Sequence, residues 1–418
     1  MTAAGSSIAT PSVRRNLTFD TVAAVGVGIS IAMVWTLMPS AARKNGMEPL
    51  WLALLISTPF IANLVSGLWS GVAAKSIRQL TIYRIVGAGA VALVWISQSS
   101  PVIVLVALLL WASLSFGGPF HIQLWGRIYP PEARGRILGL FGVFRSSTVA
   151  IAAFVGGFLA DAIGDFQALP LVGLLAVVCA FAYLGLRSPV TPEPPRYTAR
   201  TSLGTLLERP RLRRIVTAHF FYGAGLIAAI PLFALVHIDR LGLTLGQVGI
   251  IGVVGSLGTT LSYPIWGVIV DRIGSMVALR LGVLCGFLGV AGYALAGDVL
   301  VLLPAAAFVG AAGACTDAAV LSLLAEETPI QDRASSLAGW NLTSGFHGIG
   351  GPLLVSLLIG AGVLAVDSAL VLCAAVCGFG VLLYFLIGTG TGAAARRRSV
   401  RMRRILAGRL IGSGRAEE

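Results

Sequence analysis

Residues 213–236 read RRIVTAHFFYGAGLIAAIPLFALV, and residues 14–37 read RRNLTFDTVAAVGVGISIAMVWTL. Each stretch opens with a pair of arginines and continues as an almost uncharged apolar run, and 199 residues separate the two. Other matching residues recur at an offset of 196 or 199: Gly71 and Gly267, Arg84 and Arg280, Pro130 and Pro329, Arg134 and Arg333. The second half of the chain therefore repeats the first.

The apolar runs are long enough to cross a membrane. The composition is 56% hydrophobic and 11% charged, with a mean hydropathy of +0.89, which is too apolar for a water-soluble chain. A helix needs about 20 apolar residues to cross a hydrocarbon core of about 30 Å. Twelve such runs lie near residues 17–38, 49–73, 80–97, 101–121, 136–160, 167–186, 213–236, 247–270, 276–296, 299–323, 334–360 and 367–388. They lack the alternation of barrel strands, so they predict helices.

These patterns predict an all-α polytopic membrane protein with twelve transmembrane helices in two pseudo-symmetric six-helix bundles. We expect five segments: a disordered N-terminus (1–13), an N-terminal bundle (14–186), a proline-rich linker (187–212), a C-terminal bundle (213–390) and a basic tail (391–418). Duplicated bundles are typical of secondary transporters, whose site lies between the repeats near the bilayer midplane.

The charge distribution predicts which side of the membrane each loop occupies. If the N-terminus is cytoplasmic, 26 of the 30 basic residues fall on the inner side. The outer loops then carry three basic residues against six acidic ones: Glu48, Asp161, Asp165, Asp239, Asp298 and Asp367. By the positive-inside rule, this bias predicts a multi-pass protein of the bacterial inner (plasma) membrane with both termini cytoplasmic.

The basic tail has two interpretations. Its arginines alternate with apolar residues, which indicates either an amphipathic helix on the anionic lipids of the inner leaflet or a solvated tail. Because membrane sidedness accounts for the net charge of +13, we do not expect nucleic-acid binding.

Enzyme chemistry is not expected. The sequence contains no zinc-protease, serine-hydrolase or phosphate-loop motif, which argues against hydrolysis and against ATP-driven pumping. The five cysteines lie in apolar runs without a neighbouring histidine or acid, so we expect neither a metal site nor another cofactor.

One loop carries a recognisable motif, Gly267-Val-Ile-Val-Asp271-Arg272-Ile-Gly274. We expect Gly267 to allow close helix approach, Gly274 to allow a tight turn, and Asp271 to face the positive end of a neighbouring helix. In a duplicated twelve-run chain this loop resembles the signature loop of the major facilitator superfamily. The resemblance covers essentially the whole chain through topology and repeat, and it implies transport by alternating access.

The other motif loops resemble the family less closely. The counterpart loop keeps Gly71 but has Lys75 where the family usually has aspartate. The loops containing Arg134 and Arg333 resemble a further matched pair of the family. The resemblance implies that these elements hold the cytoplasmic side shut through ion pairs that break on opening. The alternative is that all these residues only end helices and set topology.

Two ionisable residues lie deep in the membrane, where they are costly and usually functional. Arg145 is roughly 16 Å into the fifth run, and Asp317 is roughly 13 Å into the tenth. Arg145 either meets an anionic substrate or pairs internally, with Asp317 as the natural partner. The resemblance implies that the first, fourth, seventh and tenth runs line a central cavity. Asp317 then either exchanges protons or binds substrate, or it is satisfied by Arg145 or by its chain neighbours.

Other polar residues give weaker predictions. Asp20 corresponds to His219 at offset 199, both roughly 7–8 Å from the inner face, so we hypothesise that they form a pH-sensitive closing contact. The alternative is two unrelated polar residues. His121 and His347 are weaker proton-carrier candidates, since a lone histidine is usually a packed residue. We expect Trp111 to be an interface anchor first and a binding residue second.

The predicted function is secondary active transport of a small organic solute, anionic or amphipathic, with protons as the candidate coupling ion. Two alternatives stay open. One is efflux of multiple hydrophobic compounds, which the missing antiporter arginine of the fourth run and the missing Gly-Pro step of the fifth run disfavour. The other is a non-transporting receptor or scaffold on the same fold.

Overall fold

The computed structural model describes residues 11–188, 198–329 and 332–388, with the side chains of Pro11, Ser70, residues 131–136, Leu138 and Ala334 outside the description. The basic tail and the predicted role of the Arg134 side chain therefore lie outside the described residues. Within those ranges the chain is helical throughout, with no strand.

Twelve helices are long and apolar enough to cross a membrane, as predicted. They are α1 (Pro11–Lys44), α2 (Pro49–Leu68), α3 (Ile77–Ile96), α4 (Ser100–Ile128), α5 (Pro131–Ile163), α6 (Asp165–Gly185), α7 (Pro210–Arg240), α8 (Leu245–Arg272), α9 (Ser275–Leu295), α10 (Val299–Glu327), α11 (Arg333–Gly360) and α12 (Val366–Leu386). Because the number of crossings is even, α1 begins and α12 ends on the same side. We call it the terminal side and the opposite side the distal side.

Local chemistry explains where the helices begin and end. α8 begins with a capping box, in which Thr244 and Gln247 satisfy each other's backbone N–H groups. α5 and α6 are separated by Gly164 alone, whose φ of +98° is accessible mainly to glycine. These short connections keep sequential helices antiparallel and adjacent.

Helices extend into two of the segments that lie outside the predicted bundles. The first helix begins at Pro11, so residues 11–13 belong to it rather than to the N-terminal segment expected to be disordered. The linker contains a helix at Ala199–Leu207, which Thr198 and Thr201 cap, so this part of the proline-rich linker is helical. A proline is compatible with the first turn of a helix, which is why Pro210 can start α7.

The halves meet along two seams related by the repeat. α5 packs on α8, and α2 packs on α11. The first seam is unusually close: a Cβ on Gly157 would lie 2.4 Å from the Leu245 carbonyl oxygen, and one on Gly249 would lie 2.6 Å from that of Ala153. Small residues let helix backbones approach where no hydrophobic effect drives association.

The first helix of each half changes its winding near the distal side. α1 forms a π-helical segment at Ala32–Leu37, and α7 forms one at Val236–Arg240. Such segments shift the direction in which side chains point and often occur at functional sites. Both segments contribute residues to the cavity between the halves.

Candidate functional site

The two halves enclose a central cavity of about 550 Å³, which extends from mid-depth to the distal side. Its wall combines aromatic side chains with hydroxyl groups and a pair of opposite charges. The aromatic and hydroxyl contributions include Trp35, Trp111, Phe233, Thr36, Ser146 and Thr259. An apolar pocket with a few converging polar groups is the usual form of a small-molecule site.

Arg145 and Asp317 face each other across this cavity. Arg145 Nη2 lies 3.8 Å from Asp317 Oδ2, and the two side chains are 41% and 61% exposed to the cavity space. Tyr263 bridges them, because its hydroxyl donates to Asp317 Oδ2 at 2.9 Å and accepts from Arg145 Nη2 at 3.5 Å. The pairing proposed from matched depth is present, but it is loose enough for both charges to reach a ligand.

A series of hydrogen-bonded side chains closes the distal end of the cavity. The sequence interpretation missed this contact. His237 Nδ1 lies 3.1 Å from Ser40 Oγ of the other half, and His237 Nε2 lies 3.3 Å from the Tyr293 hydroxyl. Tyr293 in turn stacks on Phe233 with ring centroids 3.6 Å apart. The signal that could have revealed the contact is the near-repeat spacing of Ser40 and His237, which are 197 residues apart.

Charged contacts join the halves just beyond that series. Arg43 Nε donates to both carboxylate oxygens of Asp239, at 3.0 and 2.8 Å. The Asp161 carboxylate accepts from the backbone N–H groups of Leu245 and Gly246, at 3.0 and 2.9 Å. These N–H groups form the positive end of α8, where a carboxylate is stabilised. The distal side is thus closed by contacts between the halves.

A second cavity of about 560 Å³ lies on the terminal side of Trp111, between α2, α4, α10 and α11. Three carboxamide side chains line it: Asn63, Gln123 and Asn341. We call this space the amide lobe, and the region around Arg145, Tyr263 and Asp317 the charged lobe. Trp111 lines both cavities, so its prediction as an interface anchor is wrong.

Asp20 does not pair with His219, which corrects that hypothesis. Its carboxylate lies 2.9 Å from His121 Nε2 and accepts from Trp125 Nε1 at 3.1 Å and the Tyr129 hydroxyl at 2.6 Å. Burial, followed by the charge of Asp20, raises the pKa of Tyr129, which keeps its hydroxyl a neutral donor. Asp20 is therefore a buried anchor within the N-terminal half, and His121 is one of its partners.

His219 is satisfied within the C-terminal half. Its Nδ1 lies 3.1 Å from the Tyr384 hydroxyl, and its ring lies 4.4 Å from that of Trp340 and 5.9 Å from that of His347. The reason is geometric: α1 contacts α7 through its distal segment, Met38–Lys44, whereas Asp20 and His219 lie near the terminal ends of these helices. His347 is 4% exposed and packs on Gly223, as expected of a packed histidine.

The glycines of the motif loop differ in their roles. Gly274 has a φ of +123°, which confirms the tight turn. The close-approach prediction for Gly267 is wrong, because a Cβ there would meet nothing within 4 Å. In the counterpart loop, Gly71 lies in a short 3₁₀ turn.

The charged motif residues lie at the terminal side. Asp271, Arg272 and Lys75 are exposed there, and their predicted gating roles stay predictions. Arg333 donates to the Ala325 carbonyl at 2.9 Å. Among the described residues, no three His, Cys, Asp or Glu side chains form a possible metal site.

The family follows from the whole sequence. The pattern of the Major Facilitator Superfamily matches residues 21–303 and again residues 215–411. The chain belongs to the Major Facilitator Superfamily. No curated protein is detectably similar to it.

Solved structures share the fold of this superfamily member. A mutant form of the nucleoside transporter NupG has a TM-score of 0.68 at 16% identity, over 89% of this chain and 99% of that one. A bacterial homologue of the human lysosomal transporter Spinster, inward-facing and unoccupied, gives 0.66 at 13% identity, over 91% and 97%. An auto-inhibited POT family peptide transporter gives 0.64 at 11% identity, over 89% and 96%. At such identities the likeness concerns the fold alone.

Proposed function

We propose that this superfamily member is a secondary active transporter that moves a small organic solute across the membrane by alternating access. The observation that carries the proposal is the loose Arg145–Asp317 pair, with both charges exposed in a cavity between the halves. Placing two charges within the membrane span is costly, and a scaffold would gain nothing from leaving them only loosely paired. A solute that contacts both would have a reason to bind there.

The contacts between the halves support the gating part of the proposal. The distal ends are held together by Arg43 with Asp239 and by Asp161 with the start of α8. These contacts are polar and peripheral, so they can break and re-form as the halves rock. Release of the distal contacts would open the charged lobe to the distal side.

The orientation follows from the charge distribution. We propose that the terminal side is cytoplasmic in a bacterial inner membrane, because it carries most of the basic residues. The distal contacts would then form an outer gate, and the structure would correspond to a state closed toward the outside.

Proton coupling is proposed for Asp317. A proton on its carboxylate would remove the negative charge beside Arg145 and so change the binding of any solute that contacts this pair. Solute binding and proton binding at this pair would then depend on each other, which is the requirement for coupled transport.

The test combines a ligand screen with flux. Purified protein is screened by thermal shift against a panel of small organic solutes, and each hit is tested for uptake into proteoliposomes. Arg145→Ala should abolish both the shift and the flux, and Asp317→Asn should remove the effect of a pH gradient. Arg214→Ala, on the exposed start of α7, is the matched control and should keep the wild-type flux. If Arg145→Ala and Asp317→Asn both transported solute like the wild type, the proposed site would be contradicted.

A further inference from the structure

The repeat relates the charged lobe to the amide lobe. Asn63 in α2 corresponds to Thr259 in α8 at an offset of 196 residues, and the loops that begin α5 and α11 correspond at an offset of 199. The helices that border the two lobes are related in the same way. α5 and α8 border the charged lobe, and their counterparts α11 and α2 border the amide lobe. Equivalent helices of the two halves thus border two different spaces, one lined by a pair of charges and the other by neutral carboxamides.

The carboxamides of the amide lobe have unused hydrogen-bonding capacity. Asn63 Oδ1 accepts from the Ser115 hydroxyl at 2.7 Å, but its amide nitrogen makes no hydrogen bond within the described part of the chain. The same holds there for the side chains of Gln123 and Asn341. The three side chains are half-buried and line the cavity, so their free groups are available to a molecule that enters it. A ligand that both donates and accepts hydrogen bonds would pair with these groups.

The charge of the amide lobe favours a neutral group. Among its described lining residues, the only charged one is Arg333, whose guanidinium already donates to the Ala325 carbonyl at 2.9 Å. The rest of the wall is largely apolar, with Leu114, Ile122 and Leu337 as examples. A cation would find no counter-charge there, whereas a hydroxyl, amide or urea group would find partners.

A single small molecule can reach both lobes. Asp317 lines the charged lobe and Leu321 lines the amide lobe, and the two are one turn apart on α10. Four residues correspond to about 6 Å along the helix axis. Trp111 borders both spaces, so the two lobes adjoin at its ring.

We propose that the amide lobe is a second binding subsite, and that the solute is a net-neutral molecule with a zwitterionic head and an uncharged, hydrogen-bonding tail. The head would place a carboxylate on Arg145 and an ammonium on Asp317, whose opposite charges lie 3.8 Å apart and sum to zero. The tail would occupy the amide lobe. This inference rests on the proposed transport function and narrows its small organic solute to a zwitterionic one.

The experiment uses three probes with the same amino-acid head and tails of similar length. L-citrulline ends in a neutral urea group, 2-aminooctanoate in an alkyl chain, and 2-aminosuberate in a carboxylate. Binding to the purified full-length protein is measured by isothermal titration calorimetry. Citrulline should bind at least about tenfold more tightly than either of the others, because only its tail can satisfy the carboxamides without bringing a charge.

Variants assign the effect to the lobe. Asn341→Leu removes a carboxamide at similar volume, so it should weaken citrulline binding about tenfold and leave 2-aminooctanoate binding unchanged. Gln123→Leu provides the same test on a different helix if Asn341→Leu does not fold. Gln98→Leu, in an exposed distal loop, is the control and should bind citrulline like the wild type. Arg145→Ala should remove binding of all three probes.

Several results would overturn the inference. They are equal affinity for citrulline and 2-aminooctanoate, tightest binding of 2-aminosuberate, or no citrulline binding to the folded wild-type protein. The proposed transport function fails separately, if no solute of the panel is moved by wild-type proteoliposomes. Arg145-dependent flux of a solute outside this class would keep the transporter and reject the net-neutral solute.

Discussion

The two ends of α1 and α7 differ in how equivalent residues meet. At the distal end, residues close to corresponding positions of the repeat contact each other across the halves: Arg43 pairs with Asp239, 196 residues away, and Ser40 with His237, 197 residues away. At the terminal end, the corresponding Asp20 and His219 each bond within their own half. Duplication alone therefore does not bring equivalent residues together.

The difference shows what pseudo-twofold symmetry can and cannot imply. Equivalent residues lie at equal depth and equal distance from the axis, but they touch only where the two helices converge on it. α1 and α7 converge at the distal side, where Met38–Lys44 of α1 packs on α7. The distal contacts thus join the two halves, whereas the terminal clusters lie in the interior of each half.

The largest expected effect is on the terminal cluster of the N-terminal half. Asp20→Ala would leave three buried donors, on His121, Trp125 and Tyr129, without their acceptor. Breaking such a buried cluster costs about 3–5 kcal/mol, so the variant should have a much lower free energy of unfolding, measured by chemical denaturation in mixed micelles.

The equivalent position in the other half gives the comparison. His219→Phe keeps a ring of similar size and leaves only the Tyr384 hydroxyl unpaired, at a cost of about 1–3 kcal/mol. If Asp20→Ala were no more destabilising than His219→Phe, the Asp20 cluster would not be the anchor described above.

An intermediate effect is expected at the distal seam. Gly157→Ala would push its Cβ against the Leu245 carbonyl, which is backbone and cannot move aside like a flexible side chain. Overpacking of this kind costs about 1–3 kcal/mol and should separate α5 from α8. The distance between spin labels at positions 98 and 297, in exposed distal loops of opposite halves, should increase.

The matched control lies in the same helix. Gly139 has nothing within 4 Å of its would-be Cβ, so Gly139→Ala should leave the label distance unchanged. An equal change in both variants would mean that helix propensity, and not contact between the halves, sets the distal distance.

The fold was predictable because membrane crossing is a local property of the sequence. Twelve apolar runs gave twelve helices, and the repeat offset identified which helices correspond. Depth was predictable for the same reason, since each helical residue advances about 1.5 Å. Arg145 and Asp317 could therefore be paired from their matched depths alone.

The direction in which a side chain points was not predictable. Asp20 and His219 also match in depth, but their side chains face neighbours in their own halves. Trp111 faces the central space although its sequence context suggested an interface anchor. His237 lies in a π-helical segment, which shifts its direction from that of a regular α-helix. These rotations depend on packing between segments far apart in the chain.

The smallest expected effect comes from a single ion pair at the distal end. Asp239→Asn removes the charge that Arg43 binds across the halves, and the side chains of this pair are 26% and 41% exposed. Exposed pairs contribute about 0.2–1 kcal/mol, so the population open at the distal side should rise by less than about fivefold.

Asp367→Asn is the matched control, because Asp367 pairs with Arg240 on the same side but within one half. Only the first variant should lengthen the distance between labels at positions 98 and 297. Combining Arg43→Asp with Asp239→Arg should restore the wild-type distance by re-forming the pair in reverse. If Asp367→Asn opened the distal side as much as Asp239→Asn did, the effect would come from surface charge in general and not from a contact between the halves.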